Sequence, residues 1–378
     1  MILLFLLLSA QNSVENGLKP VKPLKLEVVK ELTLGADPDD DHQNFSIGAS
    51  CVVDEKGDIY VLDPGNYRIV VFNGEGAFQR EWGKQGQGPG ELMQPSDIGL
   101  DSEGRPVVFD MTKRNMTIYG KNGEYLSDKM LPQRIMHLGR PFFMSNGNLL
   151  FFAVLGDAAF QMTFDLSLWS PEFEQLKSFH ANKLPPTDWS QSQNPDFWVG
   201  FLKGQFEALS HGAPVGAAID GKTFVAARAN EYKGKIYDQD ANELGAFTKQ
   251  YKAKAFTDDA KYAAFENVWQ NITANPVLAQ NMPKPIFEKA LEATDAPPAL
   301  LPFVGLCRLG DGFAAIANWD VLTRKGTLEV FDRTGKLLGI APYQGNIAPF
   351  YGTATHVYSG GFDDEDNVVI DKFRVKGL

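Results

Sequence analysis

Short β-rich apolar runs, separated by turns rich in Asp and Gly, recur along this chain at a fixed spacing. In 54–76, DEKGDIYVLDPGNYRIVVFNGEG, the tetrad D-x-x-G precedes the run Ile59 to Leu62. Asp63-Pro64-Gly65-Asn66 then interrupts before a second run, Ile69 to Phe72, and Gly74-Glu75-Gly76 opens a third, Ala77 to Trp82. Gly supplies the positive φ of such turns, and Asp bonds the backbone just ahead of it. The same order returns in 101–123, DSEGRPVVFDMTKRNMTIYGKNG. At an offset of 47 residues Asp54 meets Asp101, Gly57 meets Gly104, Asp63 meets Asp110, Phe72 meets Tyr119 and Gly76 meets Gly123. With the strand before each D-x-x-G, one unit holds four short antiparallel strands, the content of one propeller blade.

Weaker copies follow. They centre on SNGNLLFFAV (145–154), IDGKTFVAA (219–227), LGDGFAAIAN with LEVFDRTGKLLG (309–339), and FDDEDNVVIDKFRVKGL (362–378). The last unit stops after its third strand, while LKLEVVKELTL (24–34) alternates like a strand and belongs to no unit. Joining the two termini in one sheet removes an open edge. The predicted fold is all-β, a six-bladed β-propeller closed by its N- and C-terminal strands, with residues 24–378 as one domain. Residues 247–298 break the pattern: Tyr262, Phe265, Trp269 and Ile272 share a face at helical spacing, and PKPIFEKALEA suggests a second helix. A mostly helical insertion is therefore expected between units 4 and 5. A second excursion, 181–206, lies between units 3 and 4.

The string G-x-G-P-G-E after Trp82, a following proline, D-x-x-G-x-x-x-V-x-D at 101–110 and R-I-x-x-F-x-x-x-G at 68–76 resemble the NHL-type six-bladed β-propellers, in particular the secreted bacterial ones of unknown function. The resemblance is strong over about 45–130, fair over 300–378 and weak between. It implies the fold and says little about activity, because propellers host unrelated functions.

The first residues, MILLFLLLSAQNS, carry an apolar run far shorter than a spanning helix. They read as a signal peptide over 1–10, cleaved after Ala10; the missing basic n-region puts the start of that leader upstream. The expected protein is extracytoplasmic, secreted or periplasmic, monomeric, and without a transmembrane span. A net charge of −11 and the lack of any Lys/Arg block argue against nucleic acid. Cys51 and Cys307 fall in units 1 and 5 and are expected as two separate buried thiols.

Candidate chemistry is sparse. The glycines of 83–90 lack the Lys-Ser/Thr of a P-loop, and Pro95 with a strand pattern follows where a dinucleotide fold needs a helix. They read as the connector between two blades. His137, His211 and His356 are phased with the repeats near the start of their units' innermost strands. Three imidazoles at the axis would hold a divalent metal, zinc or calcium. The alternative is a set of polar residues lining a wet channel, with no cofactor. NHL-type peptide-amidating lyases resemble the first arrangement. The acidic stretches 37–41 and 363–366 lack EF-hand spacing and read as solvated turns. Trp189, Phe197 and Trp198 in the second excursion suit contact with a peptide, protein or glycan, or else pack beneath their own loop. The expected function is a binding or scaffold module; the alternative is a metal-dependent lyase or hydrolase.

Overall fold

In a computed structural model, six antiparallel sheets make up the ring of a six-bladed β-propeller. The structure describes residues 13–37, 39–157, 161–184, 186–191, 194–210, 214–274, 283–295, 299–346 and 350–378. Residues 1–10, expected to be a leader, lie outside them. Blade 1 runs Ser50–Val53, Ile59–Asp63, Arg68–Phe72 and Phe78–Trp82 from the axis outward, and blade 2 runs Pro95–Leu100, Pro106–Asp110, Asn115–Tyr119 and Tyr125–Met130. Blade 3 has a divided inner strand, Ile135–Leu138 and Phe142–Phe143, on one long partner, Leu149–Gly156, followed by Met162–Trp169 and Gln175–Lys183. Blade 4 is Pro214–Ala218, Thr223–Arg228, Lys233–Asp238 and Glu243–Lys249; blade 5 is Phe303–Leu309, Gly312–Asp320, Lys325–Phe331 and Leu337–Gln344.

Blade 6 closes the ring. Its own strands Phe350–Gly352, His356–Phe362 and Val368–Lys376 are completed by Glu27–Leu34 from the other terminus, with Glu27 opposite Lys376. A further N-terminal strand, Ser13–Asn16, pairs in parallel with Glu243–Lys249 on the outer edge of blade 4. Asn16 ties this strand to blade 5 as well: its Nδ2 donates to the Gly335 carbonyl (2.8 Å) and its Oδ1 accepts from the Leu337 amide (2.8 Å). Leu24 N then donates to Leu338 O (2.9 Å) before the chain enters blade 6. Residues 13–34 thus strap three successive blades, a feature the sequence did not disclose.

The turns follow the repeat. Asp54 Oδ1 accepts from the amides of Lys56 and Asp58, and Asp101 Oδ1 from those of Glu103 and Arg105. Asp363, inside the acidic stretch 363–366, caps Glu365 and Asn367 in the same way. Asp63 and Asp110 end the second strands of their blades fully buried; Asp63 accepts from Ser46, Asn66 and Arg68, and Asp110 from the amides of Met93, Gln94 and Lys113. A carboxylate with this many donors satisfies backbone that would otherwise be buried unpaired.

Among the described residues three α-helices stand off the ring: α1 (Pro195–Ser210) between blades 3 and 4, then α2 (Asp258–Ala274) and α3 (Lys284–Glu292) between blades 4 and 5. Every connector from one blade's outermost strand to the next blade's innermost strand arrives on the same face, so all three helices share it. Leu202, Phe287 and Ala290 form the centre of a small apolar core with Trp198, Phe265 and Trp269 around it. Phe201 packs on Met162, Phe164 and Leu184 of blade 3 and anchors the helices to the ring. No helix among the described residues is long and apolar enough to cross a membrane.

Candidate functional site

The innermost strands of all six blades converge on an axial cavity of about 150 Å³. Its wall takes Val52 from blade 1, Leu100 from blade 2, Phe142 and Phe143 from blade 3, Asp220 from blade 4, Arg308 from blade 5 and Tyr351 from blade 6. These residues lie toward the downstream ends of the inner strands, on the side opposite the helices. Blades 5 and 6 approach closely there. A Cβ on Gly352 would stand 2.1 Å from the Arg308 carbonyl, so only glycine permits this approach.

Arg140 lies in the break between the two halves of the blade 3 inner strand, and its side chain reaches across the axis to the opposite blade. Nη1 donates to the Phe350 carbonyl of blade 6 (3.1 Å), and the guanidinium carbon lies 5.3 Å from the centre of the Tyr351 ring. Asp97 of blade 2 stands 3.6 Å from Nε, beyond hydrogen-bond distance. Its Oδ1 already accepts from Ser50 Oγ of blade 1 (3.0 Å) and from the Ile98 amide (2.9 Å). The Arg140 side chain is 8% exposed, yet its Nε and Nη2 have no hydrogen-bond partner among the described residues.

Of the three phased histidines, His137 is on the inner strand of blade 3. It is exposed and does not line the axial cavity; desolvation by the surrounding protein lowers its pKa, opposed by the nearby Asp97 charge. His356 is elsewhere. It begins the second strand of blade 6, since Phe350–Gly352 takes the inner place. Its Nε2 lies 3.1 Å from Glu31 of the closing outer strand, and its Nδ1 2.8 Å from Thr355 Oγ1. Burial, with Lys372 beside it, lowers its pKa against the pull of Glu31. His211 lies outside the described residues. The structure does not bring His137 and His356 together, and among the described residues no group of three or more His, Cys, Asp or Glu is placed to hold a metal ion.

The aromatic excursion is a helix rather than an open loop. Phe197 and Trp198 sit half-buried in its first turns, 5.2 Å apart edge to face, and Trp198 packs into the three-helix core. Trp189 falls in a single 3₁₀ turn, Trp189–Gln191, and its side chain is outside the description. The connector glycines contact protein groups: Gly88 N donates to Glu91 Oε2 (2.8 Å), Lys113 Nζ reaches the Gly88 and Glu91 carbonyls, and Tyr119 OH donates to the Gly90 carbonyl. Both cysteines are free and buried, and burial lifts the Cys51 thiol to about 12 and the Cys307 thiol higher still. Neither is a nucleophile at neutral pH. Asn115, the first residue of the N-x-T sequence Asn115-Met116-Thr117, is 2% exposed and closed to glycosylation in the folded chain.

Arg140 and Asp97 escaped sequence reasoning. The one signal was an arginine between Gly139 and Pro141 at the head of a weak repeat, which no local pattern separates from an ordinary turn.

Residues 40–193 match the DUF5128 family, described as a 6-bladed beta-propeller. No curated protein matches the sequence. A candidate exported protein of Bacteroides fragilis has a similar structure, at 14% identity and a TM-score of 0.51, over 96% of this chain and 99% of that one. A DUF4221 family member from Bacteroides vulgatus aligns at 9% identity and a TM-score of 0.49, over 94% and 100%. Virginiamycin B lyase from Staphylococcus aureus aligns at 11% identity and 0.44, over 93% and 99%. The ring of six sheets and the matched segment agree that this chain is a six-bladed β-propeller.

Proposed function

We propose that the chain is an extracytoplasmic propeller of the NHL type that acts as a binding module for a peptide, protein or glycan. Residues 24–378 form its working unit as a monomer, with the insertion at 247–298 as part of it and residues 1–10 as a leader. The observation that carries this reading is the axial cavity, walled by all six blades and adjoined by polar atoms of Arg140 that lack hydrogen-bond partners among the described residues. Partly unsatisfied polar groups beside an apolar wall are the usual make-up of a ligand site. The NHL assignment rests on the turn and connector motifs of blades 1 and 2. The location rests on the leader pattern.

The test is binding and metal content measured on one preparation. Saturable binding to members of a glycan array or a peptide library, by metal-free protein, is the expected result. Near-stoichiometric zinc or calcium that disappears in a His137→Ala variant would overturn it in favour of a metal-dependent lyase or hydrolase.

A further inference from the structure

We propose that the channel around Arg140 and Asp97 binds a sugar through two neighbouring hydroxyl groups. This deepens the binding-module reading and rests on it. The guanidinium is a planar fork, and Nε with Nη2 makes one edge of it, presenting two parallel N–H donors. Neither has a hydrogen-bond partner among the described residues, and Nε has only the ion pair with Asp97 Oδ1 at 3.6 Å, on a side chain only 8% exposed, while Nη1 is taken by the Phe350 carbonyl. A buried donor left unpaired is costly, so a ligand that supplies acceptors there gains more than it would at the surface. Beside this edge stands Asp97, whose Oδ1 is engaged by Ser50 and Ile98 while Oδ2 accepts no hydrogen bond from any described residue.

The site therefore offers two donors and one acceptor, with opposite charges side by side. An anion placed on the guanidinium edge would meet the Asp97 carboxylate, and a cation at Asp97 would meet Arg140. A hydroxyl both accepts and donates, so a vicinal pair satisfies both donors and the acceptor without net charge. A peptide amide offers one acceptor atom to the two parallel N–H groups, where a diol offers two. The cavity adds an apolar contribution. Phe142, Phe143, Phe350 and Tyr351 border it, matching the C–H face of a sugar ring. Its volume of about 150 Å³ admits one six-membered ring. The polar cluster and the cavity wall share strands: Ser50 with Val52, Asp97 with Leu100, and Arg140 adjoining Pro141.

The experiment is calorimetric titration of the full chain with glucose, galactose, mannose and N-acetylglucosamine, with acetamide, glycylglycine, acetate and phosphate as parallel arms. Saturable binding of at least one sugar is expected. Asp97→Asn, which keeps size and turns Oδ2 into a donor, and Arg140→Met should each weaken it at least about tenfold in protein that still melts cooperatively. Should Arg140→Met fail to fold, Arg140→Lys keeps the axial charge, removes the paired edge and carries the same expectation. Sugar binding untouched by these variants overturns the site. So does binding of glycylglycine or acetamide alone, or of acetate or phosphate alone. No binding in any arm, with a crystal structure showing Arg140 closed onto Asp97, makes the pair structural and the proposal wrong. A glycan or peptide that binds elsewhere, indifferent to both variants, would sink the axial sugar site and leave the binding-module reading standing.

Discussion

The boundary between blades 1 and 2 and the boundary between blades 4 and 5 bury similar numbers of strands with different chemistry. Between blades 1 and 2 the contact is apolar: Val52, Leu62, Ile69, Val71, Leu92, Ile98 and Val108 pack with Tyr60 and Tyr119. Its polar contacts are few: Ser50 Oγ donates to Asp97 Oδ1 between the inner strands, and Tyr119 OH donates to the Gly90 carbonyl of the connector. Between blades 4 and 5 an apolar core of Phe247, Phe313 and Phe331 surrounds a buried ionic group. Lys249 Nζ lies 3.2 Å from Glu329 Oε1, and Tyr232 OH donates to Glu329 Oε2, with all three residues at most 6% exposed. Burial pushes the Glu329 carboxyl above its ordinary pKa, while Lys249 and the Tyr232 hydrogen bond pull it back. Desolvation takes back most of what such a pair gains, so its net stabilisation is small while the loss of one partner is severe. The regular blades are thus held by area, and the irregular ones by area plus a matched charge.

That difference can be tested in order of size. Glu329→Ala strands the Lys249 charge in the core and should cost about 3–5 kcal/mol in urea unfolding. The triple change Glu329→Leu, Lys249→Met and Tyr232→Phe should recover most of that loss. A triple variant as unstable as the single one would show that the network is a net stabiliser and collapse the contrast. Leu92→Ala, in the apolar boundary, should cost about 2–4 kcal/mol, independent of pH between 5 and 8. Asn16→Ala should cost about 1–2 kcal/mol, because it frees the Gly335 carbonyl and the Leu337 amide where the strap crosses from blade 4 to blade 5.

The smallest effect at neutral pH concerns the boundary between blades 3 and 4. Burial there, and Arg228 donating to Nδ1 at 3.1 Å, hold the His180 pKa at about 4 against 6.5 for the free side chain. The folded state favours the neutral ring. Its contribution is therefore complete above pH 6.5 and is lost as pH falls toward 4. The urea midpoint should drop between pH 7 and pH 5 in the parent protein, and His180→Gln should flatten that drop. An unchanged slope would remove His180 from the account.

The candidate site divides along similar lines. The connector 83–94 was legible because its chemistry is local: glycines, a proline and the Glu91 side chain answer to neighbours a few residues away. Arg140 was not legible. Its partners, Asp97 and Phe350, come from two other blades, and no spacing along the chain announces a meeting at the axis. His356 shows how phase misleads. It keeps step with His137 in sequence, but blade 6 spends Phe350–Gly352 on its inner strand and moves the histidine one strand outward. Trp198 and Phe197 were read as a loop because prolines and polar residues surround them. The helix there is held by packing on α2 and α3, which lie far along the chain.

By itself the sequence determined the blade count, the turn positions and the pairing of Glu27–Leu34 with Val368–Lys376. Each of these follows from short-range rules: alternation, Asp capping of the following amides, and an unpaired strand left over at each end. Only the tertiary structure decided which side chains meet at the axis, where the N-terminal strap lies, and which blade boundary carries a buried charge. Those depend on how six twisted sheets close into a ring. Closure brings opposite blades within one arginine's reach, a distance that no local pattern encodes.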